Sequence, residues 1–142
     1  MKNTIRYVQQ EEAELVRQYF KDKGNKGLLV ELSGKELKTW DQYAAKIGQI
    51  MQFPEFFLNR TSGHVVDSYL DWMRDLLWFQ EEGVEEYAII INDYRSFLSH
   101  DVSDKQMIIE TFVTIVLPWW EYDVERCSVG GKAMPFNVYL VD

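Results

Sequence analysis

Three carboxylates stand at helical spacing among large apolar side chains in the middle of the chain. Asp67, Asp71 and Asp75 follow one another at intervals of four residues, and residues four and eight apart lie on nearly one face of a helix. Like charges at this spacing repel one another by a few tenths of a kcal/mol per pair in an isolated helix. Helix stability alone therefore does not favour the arrangement, and a partner outside the helix is one explanation for it.

Negative charge is concentrated around the same segment. Residues 66–86 carry seven acidic residues and one basic residue, a net charge of −6 within a chain whose net charge is −8. A surface of this kind steers a cationic protein toward itself, whereas nucleic acid, itself a polyanion, is repelled. We therefore expect a cationic protein partner and no binding of nucleic acid. A solvated acidic helix face without any partner is the alternative.

Paired carboxylates also occur in glycosidases and in sites for hard metal ions. Two carboxylates on one helix, however, do not straddle a substrate bond as opposed catalytic carboxylates do. The single cysteine and the two histidines, His64 and His100, offer no zinc-type ligand set. The sequence also has no Gly-rich phosphate loop and no serine nucleophile motif. These observations favour a binding protein over an enzyme, with no cofactor and no metal.

A chain of 142 residues is long enough for one domain, residues 1–142, with a substantial core. No segment approaches the run of about 18 apolar residues that a membrane-spanning helix needs. The N-terminus lacks the apolar stretch of a signal peptide. We therefore expect a cytoplasmic protein with no membrane association.

Hydrophobic periodicity predicts strands that alternate with helices. The predicted strands are Thr4–Val8, Leu28–Leu32, Tyr87–Asn92 and Phe136–Val141. The predicted helices are Gln10–Lys23, Trp40–Met51 before Pro54, the Asp67 helix, and one that opens at a Ser103–Gln106 capping box and ends at Pro118. Tyr87–Asn92 has no polar alternation, which is typical of a strand covered on both faces.

This order of elements favours an α/β fold with a mostly parallel sheet of three or four strands packed with helices. The first 27 residues are interpreted as an added strand and helix beside a core of residues 28–142. Such an addition would cover a sheet edge that is otherwise open to pairing.

Several motifs occur in a fixed order between Leu29 and Phe79. A strand closed by Ser33-Gly34 comes first, then an amphipathic helix, then Phe53-Pro54-Glu55-Phe56-Phe57, then Asp67-xxx-Asp71 with Arg74-Asp75-Leu76-x-Trp78. Together with the later Ile-rich strand, helix and terminal strand, this segment resembles barstar and its relatives, over about Leu28 to Asp142. Members of that family are intracellular protein inhibitors of secreted ribonucleases.

The resemblance implies a barstar-like fold and one protein partner, bound one to one, namely a cationic ribonuclease or toxin nuclease domain. In the family, the helix with two aspartates plugs the nuclease active site, and a carboxylate takes the place of a substrate phosphate. By position, Asp67 and Asp71 match these aspartates and Phe56 matches an aromatic contact. Glu110 is the nearest candidate for an acidic contact in a later helix, although Thr114 is closer in register. The expected toxin-binding residues are Asp67, Asp71, Phe56, Trp72, Asp75 and Glu110.

Departures from the family pattern leave the identity of the nuclease open. The loop Leu58–Val66 is about five residues longer than the family's link, and Leu76 stands where the family has a contact tryptophan. Trp78 and the pair Trp119-Trp120 are expected to pack within the protein, with a dimer contact or an enlarged toxin-binding surface as alternatives for the pair. The alternative function is an acidic protein-protein interaction module on the same fold whose partner is not a nuclease.

Overall fold

A four-stranded parallel sheet organises the molecule. The computed structural model describes residues 1–53 and 64–142, with side chains from residue 66 onward in the second range. The strands are β1 (Ile5–Tyr7), β2 (Gly27–Ser33), β3 (Glu86–Asn92) and β4 (Phe136–Leu140). Their order across the sheet is β1-β4-β3-β2, and every neighbouring pair is parallel. The prediction of a mostly parallel α/β sheet is therefore confirmed.

Helices connect the strands. They are α1 (Gln10–Lys23), α2 (Trp40–Ile50), α3 (His64–Met73), α4 (Leu77–Glu81), α5 (Val102–Thr111) and α6 (Val124–Cys127), with π-helical segments at Phe112–Val116 and Trp119–Asp123 between the last two. The predicted order of strands and helices is confirmed. No helix within the described ranges is long and apolar enough to cross a membrane.

Strand β3 lies between β4 and β2 and is covered on both faces, as its unbroken apolar sequence predicts. Its five central residues are all buried, and their side chains alternate between the two faces. Ile90 packs with Ala13 of α1 on one face, whereas Ile89 and Ile91 belong to the larger core formed with the other helices. The sheet is therefore the middle layer, with α1 on one side and the remaining core-packed helices on the other.

The first two helices begin and end for local reasons. Helix α1 has the predicted bounds and ends at Gly24, whose φ of 62° favours glycine. Helix α2 begins with the predicted capping box, in which Thr39 and Gln42 satisfy each other's backbone N–H groups. It ends at Ile50, and Gln52 follows with a positive φ of 58°. Pro54, the predicted stop, lies outside the described residues, so this helix ends before it.

Two predictions about the later helical segment are wrong. Ser103 does not cap α5, because the helix begins one residue earlier, at Val102. The residue before it, Asp101, accepts a hydrogen bond from the backbone N–H of Trp40 (2.8 Å) and makes no side-chain cap. Pro118 does not end the helical path, which continues to Cys127. Proline lacks an N–H and disrupts an α-helical ladder, but π-helical segments, whose bonds run to the fifth residue, flank it here on both sides.

The N-terminal segment is bonded into the sheet. Strand β1 pairs with β4, with Ile5 opposite Val138. Buried Asn3 donates from Nδ2 to the carbonyl oxygens of Leu117 (3.1 Å) and Met134 (3.2 Å) and accepts from the N–H of Phe136 (3.0 Å). Asn3 thus joins the start of the chain to β4 and to the helical path before it.

Replacing Asn3 with alanine should destabilise the protein. The change leaves two carbonyl groups and one N–H without a buried partner, and such losses cost about 1–3 kcal/mol of unfolding free energy. Urea denaturation of Asn3→Ala beside Lys2→Ala, a change at an exposed neighbour, measures this. Equal unfolding free energies of the two variants would contradict the role given to Asn3.

Candidate protein-binding site

Helix α3 has one face in the core and one face on the surface. Tyr69, Leu70 and Met73 are buried, at the spacing that places side chains on one face of a helix. Asp67 and Asp71, four residues apart, are exposed on the other side. The structure therefore brings the two matched aspartates together on the solvent-facing surface of one helix, as predicted.

Contacts from two other parts of the chain hold the buried face of α3. The hydroxyl groups of Tyr69 and Tyr43, on α2, share a hydrogen bond of 2.6 Å. The indole N–H of Trp120 donates to the carbonyl oxygen of Met73 (2.8 Å) at the last residue of the helix. Trp40 packs edge-on against Tyr69, with the ring centroids 5.7 Å apart. Fully buried Tyr43 and Trp120, together with half-buried Trp40, therefore fix the helix from the side opposite to the aspartates.

Asp75 does not share the helix face of Asp67 and Asp71, so the expectation of three aligned carboxylates is wrong. Helix α3 ends at Met73, and the N–H of Asp75 bonds to the carbonyl oxygen of Trp72 in a tighter turn (3.1 Å). The next residue, Leu76, has a positive φ of 50° and is fully buried. Burial of Leu76 pulls the chain inward, and exposed Asp75 lies in the turn that leads to it.

The other predicted contact residues have different positions. Trp72 is half-buried, with its ring 6.0 Å from that of Trp78. Trp78 is also half-buried, and its N–H donates to the carbonyl oxygen of Met51 (2.9 Å). Glu110 is exposed on α5 and lines a surface hollow together with Tyr7 of β1, Tyr94 and other residues of α5. Phe56 lies outside the described residues. The roles of these residues in binding stay predictions.

The predicted loop over Leu58–Val66 lies mostly outside the described residues, and its last positions, 64–66, belong to α3. The acidic residues that follow α3 differ in exposure and in their contacts. Glu81, Glu82 and Glu85 are exposed, whereas Glu86 accepts a hydrogen bond from the hydroxyl of Tyr19 (2.7 Å) and pairs with Lys23 (3.3 Å). Glu86 thus belongs to the contacts of α1 and not to the surface of α3.

The structure adds residues that the sequence interpretation did not place at the site. The guanidinium of Arg74 pairs with Asp71 (3.0 Å) and lies over the ring of Trp119. Neighbouring Trp120 is fully buried, and half-buried Trp119 packs against the same core, so the expectation of packing is confirmed for both rings. The sequence signal was the Trp-Trp pair directly after Pro118, but nothing in it indicated which helix the rings would contact.

Burial raises the pKa of Tyr43 and of Tyr69, because the phenolate form would lose its hydration in the core. Both hydroxyls therefore remain protonated over the range in which proteins are normally studied. Within residues 1–53 and 64–142, no three His, Cys, Asp or Glu side chains stand together in a way that could hold a metal ion.

The fold and the site define a small α/β protein that carries a pair of exposed aspartates on a helix anchored in its core. A family model described as Barstar (barnase inhibitor) matches residues 28–131. The match spans well over half of the chain, and the chain therefore belongs to the barstar family, as the sequence motifs predicted. No curated protein and no solved structure gave a match. The family match leaves out β1 and α1 at one end and β4 at the other.

Stability should fall with rising pH in the alkaline range. A tyrosine of the unfolded chain releases its proton near its ordinary pKa of 10.0, whereas Tyr43 and Tyr69 in the folded protein release theirs only at higher pH. Above about pH 10 the folded state therefore binds more protons than the unfolded state, so the unfolding free energy decreases. Urea denaturation between about pH 9 and pH 11 measures this decrease.

The double variant Tyr43→Phe, Tyr69→Phe is the control for that measurement. It removes both ionisable groups together and leaves neither hydroxyl without its partner, so the decrease of stability with pH should become smaller. An unchanged decrease in the double variant would show that these tyrosines do not cause it.

Proposed function

We propose that this protein is an intracellular inhibitor, or immunity protein, of a cationic ribonuclease or toxin nuclease domain. It binds the nuclease one to one in the cytoplasm and occludes the active site, without a cofactor and without catalysis of its own. Membership of a family described as barnase inhibitors supports the class of function. The single observation that supports the site is the exposure of Asp67 and Asp71 on a helix whose opposite face is fixed in the core.

The chemistry of a ribonuclease explains why such a helix inhibits it. An enzyme that cleaves a phosphodiester must present cationic groups to the phosphate and to the charge that develops on it. Asp67 and Asp71 lie one turn apart, a rise of about 6 Å along the helix axis. Their carboxylates can occupy positions for anionic oxygens in the active site, and the helix offers no bond that the enzyme can break.

The anchoring of α3 lowers the free-energy cost of placing these carboxylates in the positions of the substrate's anionic oxygens. Association costs free energy for every side chain or segment that must be ordered at the interface. Helix α3 is already ordered by the Tyr43–Tyr69 hydrogen bond and by Trp120, so less of the interaction energy is lost. Buried charged contacts of this kind are worth roughly 2 kcal/mol or more, a magnitude taken over from protein interfaces that include an aspartate of barstar itself.

The alternative is an acidic interaction module whose partner is not a nuclease. The departures from the family pattern at Leu76 and in the longer sequence before α3 favour a contact surface of a different kind. Leu76 is fully buried and cannot make the contact that the family's tryptophan makes. The surface around Asp67 and Asp71 would then bind another cationic protein.

Replacing both aspartates by their neutral isosteres should abolish inhibition without unfolding the protein. Asp67→Asn, Asp71→Asn removes two exposed charges, and surface substitutions change stability by about 0.5 kcal/mol or less, whereas loss of two contact charges should weaken binding by several kcal/mol. The measurement is RNA cleavage by barnase-like and toxin-derived ribonuclease domains, each with stoichiometric wild-type or variant protein.

The matched control is Glu81→Gln, Glu82→Gln, which removes the same charge from exposed positions outside α3. This variant should still inhibit at one to one stoichiometry. Equal loss of inhibition in both double variants would show a general charge effect and not a site. Retained inhibition by the aspartate variant would contradict the assignment of Asp67 and Asp71. Absence of inhibition by the wild-type protein across the nucleases would favour the non-nuclease alternative.

Association with the nuclease should slow as salt is added. Exposed charges interact over a Debye length of about 10 Å at 0.1 M salt and about 3 Å at 1 M, and steered association rates fall steeply with ionic strength. Stopped-flow or surface-based association rates from low to high salt measure the effect. The aspartate double variant should show a weaker dependence, and a wild-type rate independent of salt would contradict electrostatic steering.

A further inference from the structure

Arg74 is held in one position by three contacts with the protein itself. Its Nε donates to the carbonyl oxygen of Leu70 (3.2 Å), and one terminal nitrogen donates to Oδ1 of Asp71 (3.0 Å). The guanidinium carbon lies 5.8 Å from the ring centroid of Trp119, within the range of a cation–π contact. The guanidinium therefore lies between a helix carbonyl, an aromatic ring and the carboxylate that we assign to binding.

The ring of Trp119 reaches this position because of the irregular helical path around Pro118. Trp119 and Trp120 are adjacent, yet Trp120 points into the core and bonds to Met73, while Trp119 contacts Arg74 at the surface of the same helix end. The indole N–H of Trp119 is buried and has no hydrogen-bond partner among the described residues. The position of this ring is therefore determined by packing and by its contact with the Arg74 guanidinium. A hydrogen bond from its own N–H to a described residue does not contribute.

The Asp71–Arg74 ion pair adds little to the stability of the protein and does not help to attract a cationic partner. The Asp71 side chain is 71% exposed and that of Arg74 is 35% exposed, and surface ion pairs of this type contribute only about 0–1 kcal/mol. A positive charge beside the aspartates also weakens the attraction of a cationic partner. The effect that remains is geometric, because one carboxylate oxygen held by a fixed guanidinium leaves the other oxygen in a defined direction.

We infer that Arg74, supported by Trp119 and the Leu70 carbonyl, is a positioning residue that fixes the orientation of the Asp71 carboxylate for a cation of the nuclease. This inference rests on the proposed function for its biological meaning, but the fixed orientation itself is a property of the free protein. It predicts that Arg74 acts on binding through Asp71 and not through a contact of its own.

The first test uses the free protein. NMR three-bond couplings about χ1 of Asp71 are compared in the wild type, in Arg74→Gln and in Arg126→Gln. The last is a matched control, because Arg126 also lies over an aromatic ring, that of Tyr122 at 5.3 Å, and its change removes the same charge. Couplings typical of one rotamer should become averaged in Arg74→Gln only. A single rotamer in that variant, or averaging already in the wild type, would overturn the inference.

The second test measures association and dissociation with a ribonuclease that the wild type inhibits. Arg74→Gln makes the chain more negative, so its association rate should equal or exceed that of the wild type, as for Arg126→Gln. Its dissociation rate should rise about threefold, the equivalent of about 0.6 kcal/mol and within the range of a surface ion pair, because the carboxylate must be ordered on binding. A general loss of folding would instead lower the fraction of active protein, which titration of the nuclease detects.

A double-mutant cycle separates this inference from the proposed function. In an Asp71→Asn background, Arg74→Gln should leave the dissociation rate unchanged. An undiminished effect in that background would overturn the positioning role and leave the inhibitor function intact. If Asp71→Asn alone does not alter inhibition, the assigned contact and the role of Arg74 in binding both fail, while the coupling measurement still tests the orientation in the free protein.

Discussion

The burial of one face of α3 is the constraint on which the rest of the site depends. Tyr69, Leu70 and Met73 are buried, and each buried side chain of this size contributes about 1.5–3 kcal/mol. Repulsion between Asp67 and Asp71 costs only a few tenths of a kcal/mol. The free energy gained by burial is therefore roughly ten times the free energy lost to repulsion. The core can hold this helix in place although its surface charges do not favour helix formation.

The sheet provides the support for this helix, and the N-terminal segment completes the sheet. Strand β4 pairs with β3 on one side and with β1 on the other. Without β1 the second edge of β4 would be open to pairing with other chains. Asn3 joins the chain to the backbone of Leu117 and Met134, so the segment that the family match leaves out is bonded to the same helical path that carries Trp119 and Trp120.

Local signals made much of the fold predictable from the sequence. Gln10–Lys23 was predicted with its observed bounds, because it has an apolar stripe, acidic residues at its start, basic residues at its end and a glycine after it. The Thr39–Gln42 capping box formed as expected, and β3 was predicted by its apolar run. The exposed pair on α3 was predictable because a helix with apolar residues at Tyr69 and Met73 must turn Asp67 and Asp71 outward.

The errors arose where tertiary contacts override local signals. The Ser103–Gln106 capping box was predicted to open α5, but the helix begins at Val102, after Asp101, whose carboxylate bonds to Trp40 instead of its own helix. Asp75 left the predicted helix face because burial of Leu76, in a left-handed conformation, ends the helix early. Local sequence patterns do not predict these outcomes, because each depends on a residue distant in the chain or on the shape of the core.

Pro118 shows how a local irregularity affects the site. A straight α-helix would lose a backbone bond at this proline, and the π-helical segments on both sides change the ladder around it. The path that results places Trp120 under the end of α3 and Trp119 against Arg74. One of the two rings thus fixes the backbone of the helix from inside, and the other fixes a charge on its surface. Under the proposed function both contacts favour binding, because an ordered helix with freely rotating carboxylates would still lose binding free energy when those carboxylates are ordered at the interface.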